Sequence, residues 1–136
     1  MTQTLEQPIC KVSSDGTKRW LKNGKLHKID GPAIIYPNGS KHWFQNDKRH
    51  RTDGPAIIHP NGRKCWYQND KLHRINGPAI EYPDGTKRWY QNGKFHRTDG
   101  PALIYPNGEK HWYLNGKEVT QQDIMKFSPL IMFMII

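Results

Sequence analysis

His27, His50, His73 and His96 recur every 23 residues, and each opens a seven-residue word: HKIDGPA, HRTDGPA, HRINGPA and HRTDGPA again. Histidine with arginine and aspartate could do acid–base chemistry, and four imidazoles could hold zinc. If the words sit on stacked hairpins, equivalent residues lie two strands apart, about 9.5 Å. Zinc draws its ligands to about 2 Å, so the four histidines cannot share one ion. An active site is a single constellation, whereas this word occurs four times with no serine or cysteine nucleophile beside it. No catalytic residue, metal or cofactor is assigned. A structural or electrostatic ladder is the expectation, and the Asp-Gly-Pro ending reads as punctuation. Asp bonds its own backbone, Gly before Pro takes conformations other residues resist, and Pro opens the next strand where a donor is least missed.

What must position these words is a repeat. Trp20, Trp43, Trp66, Trp89 and Trp112 keep the 23-residue step without an insertion, as do Gly31, Gly54, Gly77 and Gly100. A fixed period marks a stacked array whose units bury apolar surface only against their neighbours. Within a unit, Ala33-Ile34-Ile35-Tyr36 is a β-prone run, followed by Pro37-Asn38-Gly39 and Lys41-His42-Trp43-Phe44. Asn-Gly between two such runs predicts a hairpin with a two-residue type I′ turn. That register sets Ile34 opposite Trp43, Ile35 opposite His42, Tyr36 opposite Lys41 and Ala33 opposite Phe44. In the third hairpin it sets Glu81 opposite Arg88, an opposite-charge pair worth about 0.2–1 kcal/mol. The stretch from Asn46 to Gly54 reads as a connection between hairpins.

Two faces follow. One carries the Trp column, the aliphatic column Ile34, Ile57, Ile80 and Leu103, and a Tyr/His column opposite Lys41, Lys64, Lys87 and Lys110. It is the expected core, because burying each large apolar side chain contributes roughly 1.5–3 kcal/mol against about 0–1 kcal/mol for an exposed ion pair. The other face carries Ala33, Ala56, Ala79 and Ala102 beside the Phe/Tyr column. On it lies the predicted contact surface: His42, Phe44, Tyr67, Arg88, Tyr90, His111 and Tyr113, joined by Arg51, Arg74 and Arg97 from the words.

Twenty-one Lys and Arg against 12 acids give a net charge of +9 and a pI near 9.7, which points to an acidic partner. Arg51, Arg74 and Arg97 could be neutralised by Asp30, Asp53 and Asp99 along one edge. Alternatively, the surplus of Lys25, Lys48, Lys71, Lys94 and Lys117 leaves a basic stripe for phosphates or carboxylates. Both readings stay open. The leading expectation is a non-enzymatic module docking an acidic protein. The alternative is single-stranded nucleic acid stacked on Tyr67, Tyr90 and Tyr113 beside Arg88, although a step of about 9.5 Å exceeds the roughly 3.4 Å between stacked bases. Cys10 and Cys65 make no CxxC spacing, which suits a reducing, cytoplasmic compartment. The N-terminus lacks the order of a secretory signal, and no stretch approaches the roughly 20 apolar residues that cross a bilayer.

The chain divides into a capping half-repeat at 1–14, five repeats at 15–120, and a C-terminal cap at 121–136. In the half-repeat Lys11 is expected opposite Trp20 and Val12 opposite Arg19. Thr120 with Asp123 three places on predicts the N-cap of a short helix running through about Phe127 and stopping before Pro129. Leu130 to Ile136 are all apolar and are expected to fold back over exposed side chains or to form a subunit contact.

Laid out as W-x-x-N-G-K-x-H-R-x-D-G-P-A-x-I-Y-P-N-G-x-K-x, the unit resembles the MORN repeats (membrane occupation and recognition nexus). It is most similar to the divergent arrays of phage and large-virus proteins. The resemblance spans residues 15 to 117 and rests on the period, the Asn/Asp-Gly turns and the aromatic strand. Standard units carry a Gly-rich strand ahead of the aromatic position, where this chain has Lys18-Arg19 or Lys41-His42. The resemblance implies an all-β fold, an elongated single-layer antiparallel sheet of stacked hairpins used as a docking surface, with no catalytic residues to carry over. For partners it implies a host defence factor if the viral likeness holds, and phospholipid headgroups as a third, weaker candidate.

Overall fold

The structure, a computed structural model, describes residues 6–126. Each 23-residue unit makes two different turns. At Pro37-Asn38-Gly39 the chain reverses through three residues: Gly39 N–H donates to Tyr36 O at 2.9 Å, and Tyr36 N–H donates to Ser40 O at 3.0 Å. Pro37 suits the first central position of a type I turn, and Gly39, at φ +90°, takes the left-handed position after it. Asn38 serves with its side chain rather than a positive φ: Oδ1 accepts from Ser40 N–H at 2.9 Å. Asp15, Asn61, Asp84 and Asn107 repeat this bond in the other units.

The second turn is the tight one. Asn46 and Asp47 have φ +49° and +66°, and Asn92 and Gly93 have φ +51° and +79°. Two successive positive φ values are the requirement of a type I′ turn, which Asn, Asp and Gly tolerate best. These turns close the short hairpins Phe44–Gln45 with Lys48–Arg49, Tyr67–Gln68 with Lys71–Leu72, and Tyr90–Gln91 with Lys94–Phe95. The stretch expected to be a plain connection therefore begins with a hairpin of its own.

The strands stack into an elongated, single-layer antiparallel sheet that follows chain order from Ile9–Val12 at one edge to Lys117–Val119 at the other. Among the described residues no helix is long and apolar enough to cross a membrane. The one short helix, Gln121–Met125, starts as expected: Thr120 and Asp123 form a reciprocal capping box, and Ile124 is fully buried. The apolar residues Leu130 to Ile136, and the expected helix end at Phe127, lie outside the described residues.

The three-residue turn moves the register by one position from the expected one. Ile34 pairs with His42 and Ile35 with Lys41. Ile80 pairs with Arg88 and Glu81 with Lys87, so Ile80 does not face Trp89 and Glu81 does not face Arg88. At the N-terminal edge Lys11 likewise pairs with Arg19, and Val12 with Lys18. A one-residue slip sends every side chain to the other face. The Trp column accordingly leaves the aliphatic column and shares a face with the lysines of the strand. Glu81 finds its cation elsewhere, with Arg74 Nη1 at 3.2 Å.

The packed face carries the buried Ile34, Ile57, Ile80 and Leu103 together with the Phe/Tyr column, which the expected register puts on the opposite side. Tyr67, Leu72, Tyr82 and Tyr90 pack against Ile57, Cys65 and Ile80. Phe95 stacks between Tyr90 and Tyr113 at centroid distances of 4.3 and 4.8 Å, and Arg49 lies over the Tyr67 ring at 4.2 Å. The left-handed turn residues give a direct check on the fold. Asn92→Ala should destabilise the protein by about 1 kcal/mol, whereas Asn92→Gly should be nearly neutral. The shift in urea midpoint measures both.

Candidate functional site

The opposite face is built by the recurring words. Residues 50–56 leave the sheet opposite Trp43, and both ends of the excursion are tied to that residue's backbone. Trp43 N–H donates to Ala56 O at 2.7 Å, and His50 N–H donates to Trp43 O at 3.1 Å. The same two bonds close residues 27–33 on Trp20, 73–79 on Trp66 and 96–102 on Trp89. Ala33, Ala56, Ala79 and Ala102 end the loops, and all are fully buried. Among the described residues the fifth tryptophan closes no loop; Trp112 pairs with Val119.

Inside each loop the word's residues have separate tasks. The imidazole Nδ1 of His27, His50, His73 and His96 accepts the backbone N–H of Asn46, Asn69, Asn92 and Asn115 at 3.0–3.1 Å. That N–H belongs to the type I′ turn of the next unit, so the histidine staples one repeat to its neighbour. An accepting Nδ1 leaves the proton on Nε2, the neutral tautomer. The arginine folds over its tryptophan: Arg51, Arg74 and Arg97 lie 4.0, 3.9 and 4.0 Å from the Trp43, Trp66 and Trp89 ring centroids. Each also donates from Nη1 to the carbonyl four residues on, Pro55, Pro78 or Pro101, at 3.0 Å. Arg51 Nε meets Asp53 at 2.9 Å, and Arg97 Nε meets Asp99 at 2.8 Å.

The glycine makes room for the stacked guanidinium. A Cβ on Gly54, Gly77 or Gly100 would lie 2.9, 2.9 or 2.8 Å from the Cζ of Arg51, Arg74 or Arg97, and none of the three has a positive φ. The guanidinium is thus clamped between an indole and a bare backbone. In the first loop Lys28 takes the arginine's place, 4.0 Å above Trp20, and Gly31 has correspondingly more room, 3.4 Å.

Between successive loops lie three equivalent open clefts. Lys28, Ile29, Trp43, Gln45 and His50 line the first; Trp66, Gln68 and His73 line the second between Arg51 and Ile75; Trp89, Gln91 and His96 line the third. On the same face the strand pairing produces a row that reads Lys18, Ile35, Lys41, Ile58, Lys64, Glu81, Lys87, Ile104, Lys110. All five lysines are exposed. A second row, Lys25, Lys48, Lys71, Lys94 and Lys117, is also exposed; Lys48, Lys71 and Lys94 pair with the cleft residues Gln45, Gln68 and Gln91.

The predicted contact residues divide between the two sides. Arg51, Arg74 and Arg97 stand in the loops, stacked and half-buried. His42, Phe44, Tyr67, Arg88, Tyr90, His111 and Tyr113 all lie half-buried on the packed face. Burial pushes the Tyr67 and Tyr90 phenols up, and the buried Cys65 thiol with them. His42 donates to or accepts from Ser40 Oγ at 3.0 Å and meets Tyr36 edge-on at 5.0 Å. The row through Lys41, Lys64, Lys87 and Lys110 is not expected as a surface, because the expected register turns these lysines toward the core, whereas the row Lys25, Lys48, Lys71, Lys94 and Lys117 is the basic stripe that the sequence offers. The overlooked signal was Pro37, which favours the first position of a three-residue loop over a type I′ turn.

No family model matches this chain, and no curated protein matches it.

Two measurements probe this geometry. Gly77→Ala should displace the Arg74 guanidinium from Trp66 at a cost of about 0.5–1 kcal/mol, the worth of an exposed cation–π contact, and should cost measurably less in an Arg74→Ala background, as a double-mutant cycle would show. The histidines should separate by pH. Hydrogen bonds that the His111 ring N–H groups donate to Glu118 and Glu109, at 2.8 Å each, hold His111 above the ordinary imidazole value of 6.5. Burial, with the charges of His59 and Arg49, holds His42 below it. The His111 contribution to stability is therefore full below pH 6.5 and lost as pH rises through its raised value. His42 instead destabilises the fold as pH falls below 6.5. An NMR titration should show His111 titrating above, and His42 below, a free imidazole, with Glu118→Gln lowering the His111 midpoint.

Proposed function

We propose that the protein is a non-catalytic, MORN-like repeat module of the cytoplasm that docks an acidic protein partner on its loop-bearing face. The observation that carries this reading is the register. It gathers ten exposed lysines into two rows on the loop-bearing side of a chain whose net charge is +9. Exposed cations that lack fixed acidic partners steer and orient an oppositely charged partner. In the first row Ile35, Ile58 and Ile104 alternate with the lysines, so the strip offers apolar area as well as charge. The arginines of the words support this face without being its free charges, since Arg51, Arg74 and Arg97 are engaged by Asp53, Glu81 and Asp99. With Glu81 rather than Asp30 as the third acid, the arginines are neutralised, which leaves the lysines as the charge this reading assigns to the partner. On the viral likeness, the partner is a host defence factor that the module occupies.

Base stacking draws no support from the aromatic column, because Phe95 already fills the space between Tyr90 and Tyr113.

Charge reversal tests the reading. Lys41→Glu, Lys64→Glu and Lys87→Glu together should reduce binding to poly-L-glutamate at least tenfold at low salt while leaving the thermal midpoint within a few degrees. The same three changes placed at exposed positions elsewhere, such as Lys11, should have little effect. Tight, steeply salt-dependent binding of duplex or single-stranded DNA with no binding of the polypeptide would overturn it.

A further inference from the structure

The three clefts form a ruler, and its spacing selects a conformation for whatever lies along it. Resting on the reading of an acidic partner, we infer that the clefts take an acidic polyproline II segment carrying a carboxylate at every third residue. Equivalent residues of successive units lie two strands apart, about 9.4–9.8 Å. A polyproline II helix rises about 3.1 Å per residue with three residues per turn, so residues i, i+3 and i+6 project from one side at steps of about 9.3 Å. An extended β-strand fails the same test. Three of its residues cover about 10 Å, but side chains alternate, and residue i+3 points the opposite way. An α-helix returns to the same side after seven residues, about 10.5 Å, and falls out of step by roughly 2 Å over two intervals.

The chemistry of the clefts agrees with the spacing. In the middle cleft donors predominate: the amide N–H groups of Gln68 and Asn76, the Thr52 hydroxyl and His73 with its proton on Nε2, with Lys71 paired to Gln68 at its side. The acid nearby, Asp53, is held by Arg51 at 2.9 Å. A carboxylate complements such a set by charge and by its acceptor oxygens. The indole N–H groups of Trp43, Trp66 and Trp89 make no hydrogen bond among the described residues, and none is a buried unpaired atom. They are available to the solvated carbonyls that a polyproline II backbone presents, as aromatic grooves use them in proline-rich recognition.

Fluorescein-labelled peptides with four glutamates each test the ruler: (Glu-Pro-Pro)4, (Glu-Pro)4, (Glu-Pro-Pro-Pro)4 and the flexible (Glu-Gly-Ser)4, with poly-L-glutamate alongside. The expected result is that (Glu-Pro-Pro)4 binds at least tenfold more tightly than any other four-glutamate peptide. It should lose that advantage in the Lys48→Met/Lys71→Met/Lys94→Met protein and, separately, in Gln68→Glu, which places a carboxylate in the middle cleft. Two variants of different character guard against a loss caused by misfolding. Equal binding of all four peptides, or a preference for another spacing, would overturn the inference while leaving the acidic-partner reading intact. Binding of poly-L-glutamate but of no short peptide would do the same. If no acidic chain binds even at low salt, both readings fall together.

Discussion

Each seven-residue loop begins and ends on the main chain of a single tryptophan, and the rest of the architecture depends on that closure. The backbone N–H and C=O of Trp43 would otherwise be open ladder positions where the strand pairs with Lys48–Arg49 on one half and Ile57–Ile58 on the other. The loop supplies both partners, through Ala56 and His50. Closure fixes the indole under its own arginine, the arginine takes the room beside Gly54, and the histidine reaches the next turn. A unit this small cannot bury a core alone. Its stability comes from the neighbouring unit, as in other one-dimensional arrays.

This arrangement divides the work of a single-layer sheet between its sides. One side carries the aliphatic residues and the aromatic stack, the other the loops, the clefts and the lysines. Since all three loop arginines are engaged by acids and stacked on rings, their charge is held in place, whereas the lysines of the two rows form no ion pair among the described residues. Arg74 shows the coupling: its carboxylate comes from Glu81, the acid that breaks the alternation of lysine and isoleucine in the first row. The histidine and arginine of the word that looks most like catalytic chemistry hold the loop and the neighbouring turn in place. The residues that looked like scaffolding, the lysines two places before each tryptophan, are the accessible ones.

Much of the fold was legible in the sequence: the 23-residue period, the all-β stack, and the helix start at Thr120 with Asp123. These depend on local chemistry, and a β-hairpin repeat with no insertions leaves few alternatives. The Asx turn expected at the aspartate of the word is not found there: Asp53 and Asp99 accept from arginines, and the backbone bonds of that type fall instead at Asn38 and its equivalents. The register was not legible from the rule applied to it. Pro37-Asn38-Gly39 and Asn46-Asp47 both advertise a turn, but only the second has two left-handed residues. Reading the first as the tight turn displaced every pairing by one, and with it the assignment of faces. Glu81 lies among several cations, so an opposite charge near it does not discriminate one register from the next; its carboxylate meets Arg74, seven residues back, through the loop. A long-range closure of this kind leaves no periodic trace, so only the recurring glycine and the proline hinted at it.

A NOESY spectrum of the Trp89 indole measures the arrangement directly. Contacts from the ring protons to the side chain of Arg97, and none to the methyl groups of Ile80, are expected if the loop closes over the tryptophan and the three-residue turn sets the register. Strong contacts between the Trp89 ring and the Ile80 methyls, without any to Arg97, would place the indole on the aliphatic side and contradict both.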